Sequence, residues 1–451
     1  MTYTIDRLPG VLYEEEVTYE LTGVGSKIPV FIGVTGNTNT NYTVTERDEI
    51  TGEDVTVSKT YKVDGTEFLT YKQYSDICKS VGANGGIGTE TSIVTRTRTI
   101  PATTEGGEPT TEEYDETVNN LETNILLKRI KEFYEEARLI QSGDVGVPYI
   151  YVIDVGTGTD FQAWKNAIKT AKKLHDAQVE IYVGAKVEGT GNNRKSIICG
   201  NITLASFLTM LYHGMGTNGS DDDMEEYGLK ECAKNLDLRY AFTTVEGASD
   251  DDLIAVTRDF QESRIGLCEP LLFGKTMARI CCTPANTEPG YYRYRSVDEG
   301  IFIPRTKHNM LQLQNNGIIF NRDEHINSNI YPKINLCVAT SFRKSPMPSD
   351  ALFHARFNAD DLLREVFEAC YNQIKKNESV TNIAYLQTRI NKIVNDRVTA
   401  EEMVKYNERT EVGTKLYVSE SEENPFNLVV SGQIQPVKCT IAIKVTATIK
   451  I

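Results

Sequence analysis

The sequence predicts a mixed fold. A strand-helix alternating α/β region with a β-rich insertion leads into a small α+β end domain, with extended arms at both chain ends. Three observations predict it. Between residues 148 and 260, apolar runs of strand length alternate with segments of helical spacing, which implies a largely parallel sheet. After about residue 340, two amphipathic helices are followed by short strands. From Val437 to Ile451 the chain alternates apolar and polar residues without a break.

That last run organises the reading. Val437, Cys439, Ile441, Ile443, Val445, Ala447, Ile449 and Ile451 fall on one face of a strand. Lys438, Lys444 and Lys450 fall on the other face, with threonines between them. The run could span about 50 Å at about 3.3 Å per residue. An apolar terminal strand needs a partner. Two readings stay open: a long strand of the chain's own sheet, or an arm that joins the sheet of another copy by β-augmentation. Residues 1–25 look similar. Tyr3, Ile5, Leu8, Val11, Tyr13 and Val17 are scattered among polar residues, with Pro9-Gly10 as punctuation. The stretch has too few apolar residues to fold alone.

The rest is taken in order. Ile28 to Val34 is a near-continuous apolar run, as in a strand covered on both faces. Residues 37–118 are rich in Thr, Gly and Glu and read as a surface insertion. Tyr42 to Tyr61 alternates around Thr51-Gly52-Glu53, which predicts a hairpin. Glu67 to Val81 has helical spacing, and Thr103 to Glu113 reads as a mobile loop. Val118 to Gln141 is an amphipathic helix. Pro148 to Val155 is a buried strand, Asp160 to Leu174 a helix, and Val179 to Val183 a strand. Leu204 to Tyr212 and Glu225 to Leu236 are helical, and Tyr240 to Val245 is a strand. Ser249 with Asp252 opens a helix through Phe260 with a capping-box-like pair. In the end domain, Asn358 with Asp361 caps a helix carrying Leu362, Val366 and Cys370. A second helix carries Ile383, Leu386, Ile390 and Val394, and Lys415 to Val418 and Phe426 to Ile434 are strands. The boundaries that follow are an arm over 1–25, an α/β domain over 26–340, an end domain over 341–435 and an arm over 436–451.

Composition narrows the function. The chain has 451 residues, enough for two or three domains, with 40% hydrophobic and 25% charged residues. Its formal net charge of −15 argues against direct nucleic-acid binding and against docking on anionic lipid. Nine cysteines without any CxxC read as buried thiols of a reducing compartment. The N-terminal stretch lacks a signal-peptide pattern, and no apolar run reaches the length of a membrane span.

Candidate chemistry is thin. His175, His213, His308, His325 and His354 lack partners at metal-ligand spacing, and His175 reads as a dipole partner following a helix. Gly216 to Glu226 lacks the alternating ligands of a calcium loop. Gly156-Thr157-Gly158 sits between a strand and a helix, where phosphate could bind, but lacks the rest of a P-loop. Cys281-Cys282 reads as buried strand. No catalytic, cofactor or metal residues are expected.

The order of these features resembles the contractile tail sheath family of tailed phages and phage tail-like particles. Leu8-Pro9-Gly10-Val11-Leu12-Tyr13 with Glu14-Glu15-Glu16 is similar to the family's opening, although Leu12 interrupts its pattern. Pro29 to Val34, Phe68 to Gly82, Ile125 to Tyr134 and Tyr149 to Val155 resemble the segments that follow. Asn309 to Pro332 and Gly432 to Ile451 resemble its later segments. The resemblance implies a non-enzymatic structural subunit without cofactors. It implies homo-oligomeric stacked rings around a tail tube protein, with baseplate and tail terminator proteins at the ends, in a virion tail or tail-like particle assembled in the host cytoplasm. It implies that Tyr3, Ile5, Leu8, Val11, Tyr13, Val17, Cys439, Ile441, Ile443, Val445, Ala447, Ile449 and Ile451 lie on inter-subunit arms. The competing classes are a soluble α/β enzyme or nucleotide-binding protein, and another virion component such as a shell or tube protein.

Overall fold

The computed structural model describes residues 28–47, 53–82, 85–100, 110–140, 149–183, 196–205, 241–259, 265–283, 289, 294, 305–326, 329–335, 353–371, 380–420 and 428–437. Its centre is β1 (Ile28–Gly33), buried along its whole length. β-branched and aromatic residues on both faces leave it no wet side, so both faces must be covered. β1 pairs in parallel with β7 (Ile150–Asp154) and with β8 (Ser196–Thr203). β9 (Ala241–Glu246) and β10 (Ile265–Cys268) extend the parallel sheet. β4 (Leu69–Tyr71) closes the far edge antiparallel to β7, giving the order β10-β9-β8-β1-β7-β4.

Helices cover both faces. On one, α2 (Ile125–Ile140) and α5 (Phe273–Cys282) pack Leu126, Ile130, Phe133, Met277 and Ile280 against Phe31, Val152 and Phe242. On the other, α3 (Phe161–Val183), α4 (Asp250–Asp259) and α6 (Lys307–Asn315) bring Trp164, Ala167, Val256 and Leu313 onto Val30, Ile32 and Ile153. The three-layer arrangement agrees with the expectation of a largely parallel sheet.

Several expectations are corrected. Val179 to Val183 continues α3 and is not a strand. A short apolar run fits either period, and here the helix carries on. Glu67 to Val81 holds β4 and only a short α1 (Tyr74–Ile77), because Leu69 and Tyr71 pair with the edge of β7. Phe68 meets Tyr151 edge-on, ring centroids 5.5 Å apart. The helix expected from Val118 begins at Ile125, where the Asn124 side chain accepts from the Leu127 amide. Cys281 and Cys282 end α5 and are not in a strand. The capping pair is present: Ser249 N–H donates to Asp252 at 2.9 Å, and the Asp252 amide donates to Ser249 Oγ at 3.2 Å.

Buried ion pairs join the helices of the first face. Arg279 on α5 faces Glu136 on α2, and both side chains are almost wholly buried, at 1% and 0% exposure. Arg129 grips Glu246 at 2.6 Å and Glu132 at 2.8 Å. Gly274 lies so close to α2 that a Cβ there would sit 2.0 Å from the Arg129 carbonyl oxygen.

A second cluster ties the far end of the sheet. Arg305 bonds Glu269 at 2.5 Å and Asp250 at 2.8 Å, and Glu269 also accepts from the Asn321 amide. Burial pushes the Glu269 carboxyl up to about 7, against the opposing pull of Arg305 and Asn321. A carboxyl raised on folding binds its proton more tightly in the folded state. Stability therefore falls as pH rises from about 4.5 to about 7, by about 3 kcal/mol in total. Urea melts across pH 4.5–8 should show a falling slope in the wild type and a shallower one in Glu269→Gln.

Two hairpins stand off the sheet. β2 (Thr40–Arg47) and β3 (Asp54–Tyr61) form the expected one. β5 (Thr91–Ile100) and β6 (Thr110–Asn119) form the other. Residues 110–113, expected in a mobile loop, are therefore strand. Threonine favours the extended backbone. Arg98 also pairs with Glu112 at 2.7 Å across the ladder and lies over the Tyr114 ring. Exposed pairs of this kind contribute little energy, but they fit the register.

A third core follows. α7 (Phe353–Tyr371) and α8 (Val380–Thr399) pack Leu362, Val366 and Ala369 against Leu386, Ile390 and Val394. Asn358, expected as a cap, lies inside α7, which begins earlier. Arg397 of α8 bonds Asp361, Glu365 and Glu402 at 2.7, 2.6 and 2.5 Å. Burial opposes its charge, but the three carboxylates outweigh burial and raise the guanidinium above its ordinary value.

Candidate functional site

The turn where phosphate was considered holds the protein's own carboxylate instead. Gly156 and Gly158 adopt φ of 61° and 73°, a left-handed backbone that glycine accepts without strain. The Gly156 amide donates to Asp154 at 2.7 Å. Asp154 also accepts from Thr35 at 2.7 Å, from Tyr61 at 2.7 Å and from Asn37 at 3.3 Å. Burial raises its carboxyl above the ordinary value. The donors that would cradle an anion are thus used to anchor the β2–β3 hairpin to the end of β7.

The remaining chemical candidates stay apart. His175 lies within α3, not after a helix; His308, His325 and His354 fall on α6, on β11 (Phe320–Ile326) and on α7. His213 and the 216–226 loop lie outside the described residues. Among the described residues no three His, Cys, Asp or Glu side chains group as a metal site, and no helix is long and apolar enough to cross a membrane. Among them, Cys199 and Cys268 are deeply buried thiols.

The proposed arm residues, Tyr3 to Val17 and Cys439 to Ile451, lie outside the described residues, as do the helix expected at 225–236 and all but the first two residues of the one expected at 204–212. What can be described is the surface beside which the C-terminal run begins. β13 (Lys415–Glu420) and β14 (Leu428–Gln433) form an antiparallel pair over the third core. Leu416, Val418, Leu428 and Val430 turn inward onto α7 and α8. Tyr417 and Val429 face outward at 46% and 41% exposure, and Lys415 Nζ lies 4.5 Å from the Tyr406 ring centre. Among the described residues the sheet stops at two strands. An isolated pair of strands is marginal in water and leaves main-chain donors and acceptors along its edges.

The two edges differ. On β13, the Gln387 side chain of α8 accepts from the Val418 amide at 2.7 Å and donates to the Leu416 carbonyl at 2.9 Å. No comparable cap is seen on β14 among the described residues. Beside the hairpin the terminal run is rooted: Val404 N–H donates to the Gln435 carbonyl and Val437 N–H to the Glu402 carbonyl, both at 2.9 Å. Met403 and Pro436 form a bridge between them. Sequence reasoning passed over Gln387, which has the look of any solvated helix position.

No family model matches the chain, and no curated protein matches it. Solved structures do. A chain of the anti-feeding prophage (AFP) baseplate is similar over 99% of this chain and 100% of its own, with 12% identity and a TM-score of 0.51. A chain of the contracted AFP helical sheath matches with 9% identity over 99% of each chain, at a TM-score of 0.48. A chain of the contracted PVC sheath complex, an extracellular contractile injection system, matches with 10% identity over 99% of this chain and 98% of its own, at 0.49. At such identities likeness speaks for fold. Carried end to end by the baseplate likeness, this chain shares the fold of a chain of the AFP baseplate structure.

Proposed function

We propose that this chain is the structural subunit of a contractile tail sheath. Copies polymerise as stacked rings around a tail tube through exchanged β-strand arms. Contraction of the polymer then drives the tube through a cell envelope. The observation that supports this reading best is the hairpin β13–β14, two strands wide among the described residues and rooted beside the long alternating C-terminal run. Main-chain hydrogen bonds to a donated strand survive large rigid-body rotations that a flat side-chain interface would not. The arms would act as hinges between subunits, with the tube inside and baseplate and terminator proteins at the ends. The third core would face the tube, and the parallel sheet with its hairpins would face outward. The net charge of −15 fits a shell that makes no direct contact with nucleic acid.

The test is assembly. Purified full-length protein should form tubes visible by negative-stain electron microscopy. Deleting residues 440–451, or 1–20, should leave a folded subunit with an unchanged melting temperature that forms no long tubes. Tubes of normal length from either truncation would refute the arm exchange.

A further inference from the structure

The edge of β13 carries an inference that rests on the sheath reading and deepens it. In a parallel sheet, one residue donates its N–H to a carbonyl of the neighbouring strand and accepts from the N–H two residues further along. The carboxamide of Gln387 makes this pair of contacts with Leu416 and Val418. A side chain thus stands in for one residue of a missing strand. Its second amide proton goes to Asn391 Oδ1 at 2.8 Å, which holds the group from below.

We infer that Gln387 is a removable placeholder on a second strand-acceptor edge, and that its occupant is an extended segment of another copy of this chain. Leu416 and Val418 turn their side chains towards the core, and the Leu416 carbonyl and Val418 N–H at the strand edge are the groups that Gln387 occupies. The flanking positions on α8 one turn either side of Gln387 are Ala384 and Asn391, both exposed and neither bulky. Among the described residues only the Gln387 side chain bonds the outward main chain of Leu416 and Val418, and it can swing away by rotation about its own bonds with no change in the helix. The chain itself supplies a strand of the right kind. Its alternating C-terminal run has apolar residues at every second position to face the core and lysines and threonines to face water. Among the described residues β14 offers an edge without such a cap, so the two edges of one hairpin would fill unequally: β14 freely, β13 only after Gln387 lets go. The placeholder keeps the free subunit from pairing at both edges before assembly.

The experiment compares free and polymerised full-length protein by hydrogen exchange with fragmentation, reading the Val418 amide. It also compares the critical concentration for tube formation of the wild type with that of Gln387→Ala. In the free wild type, the Val418 amide should exchange by local opening, and in tubes at least tenfold more slowly. Gln387→Ala should speed exchange at Val418 in the free subunit and lower the critical concentration about three- to tenfold, because the strand no longer displaces a competing pair of hydrogen bonds. Equal Val418 exchange in free and assembled wild type would overturn the inference while leaving the sheath reading intact, and needs no variant to fold. So would an unchanged or raised critical concentration in a Gln387→Ala protein of wild-type melting temperature. A wild-type chain that never polymerises would remove the sheath reading and this inference together.

Discussion

Replacing Glu136 with alanine is expected to cost about 3–5 kcal/mol of stability. Glu136 and Arg279 are buried on facing helices, at 0% and 1% exposure. Removing the carboxylate takes the Glu136 charge away from a guanidinium that lies almost wholly inside the helix layer. Burying a charge so poorly matched costs far more than an exposed ion pair ever gains. The Tyr294 ring, 5.9 Å from the guanidinium carbon, does not substitute for a carboxylate. The pair itself need not stabilise strongly. Glu136→Leu combined with Arg279→Met should recover most of the loss, because apolar replacements of similar volume remove both desolvation penalties. Urea denaturation of the single and double variants checks this. A Glu136→Ala protein within about 1 kcal/mol of the wild type would show that water reaches the pair.

Gly274→Val is expected to be nearly as damaging, by roughly 3 kcal/mol or more, because it overpacks the crossing of α2 and α5. The space for a Cβ is already taken by the Arg129 carbonyl oxygen at 2.0 Å and by Glu132 Cβ at 2.7 Å. The first of these is helix backbone and cannot swing aside. The helices would have to separate, which would strain the Gly274 amide's bond to Glu132 at 3.0 Å and the Arg129–Glu246 grip behind it. A thermal melt should show a drop of several degrees, and Gly274→Ala should fall in the same direction with smaller size. A Gly274→Val protein that melts like the wild type would mean that the two helices do not cross this closely.

Much of the fold was legible because burial and period agree. The strands at Ile28–Gly33, Ile150–Asp154 and Ala241–Glu246 are rich in β-branched and aromatic residues, and each lies in a sheet covered on both faces. The helix pair over 353–399 showed itself through Leu362, Val366, Leu386 and Ile390 at helical spacing. Illegible segments failed for identifiable reasons. Val179–Val183 is strand-like in composition but follows a helix that does not stop. Ser196–Thr203 and Ile265–Cys268 hide as strands because Gly200, Asn201 and Gly266 interrupt the apolar pattern. Thr110 to Glu113 was mistaken for loop because nothing apolar marks it, yet it pairs across to Arg98 and Ile100. At the candidate site the hairpin strands were readable. The role of Gln387 was not, because a hydrogen bond from a helix side chain to a distant strand edge leaves no periodic trace in sequence.

The Arg397 clamp has a mechanical consequence. Val437 is bonded to the main chain of Glu402, and the Glu402 side chain is in turn gripped by Arg397, which also holds Asp361 and Glu365 on α7. Tension applied along the last residues would therefore load both long helices in shear, through several contacts at once, instead of unzipping the hairpin one rung at a time.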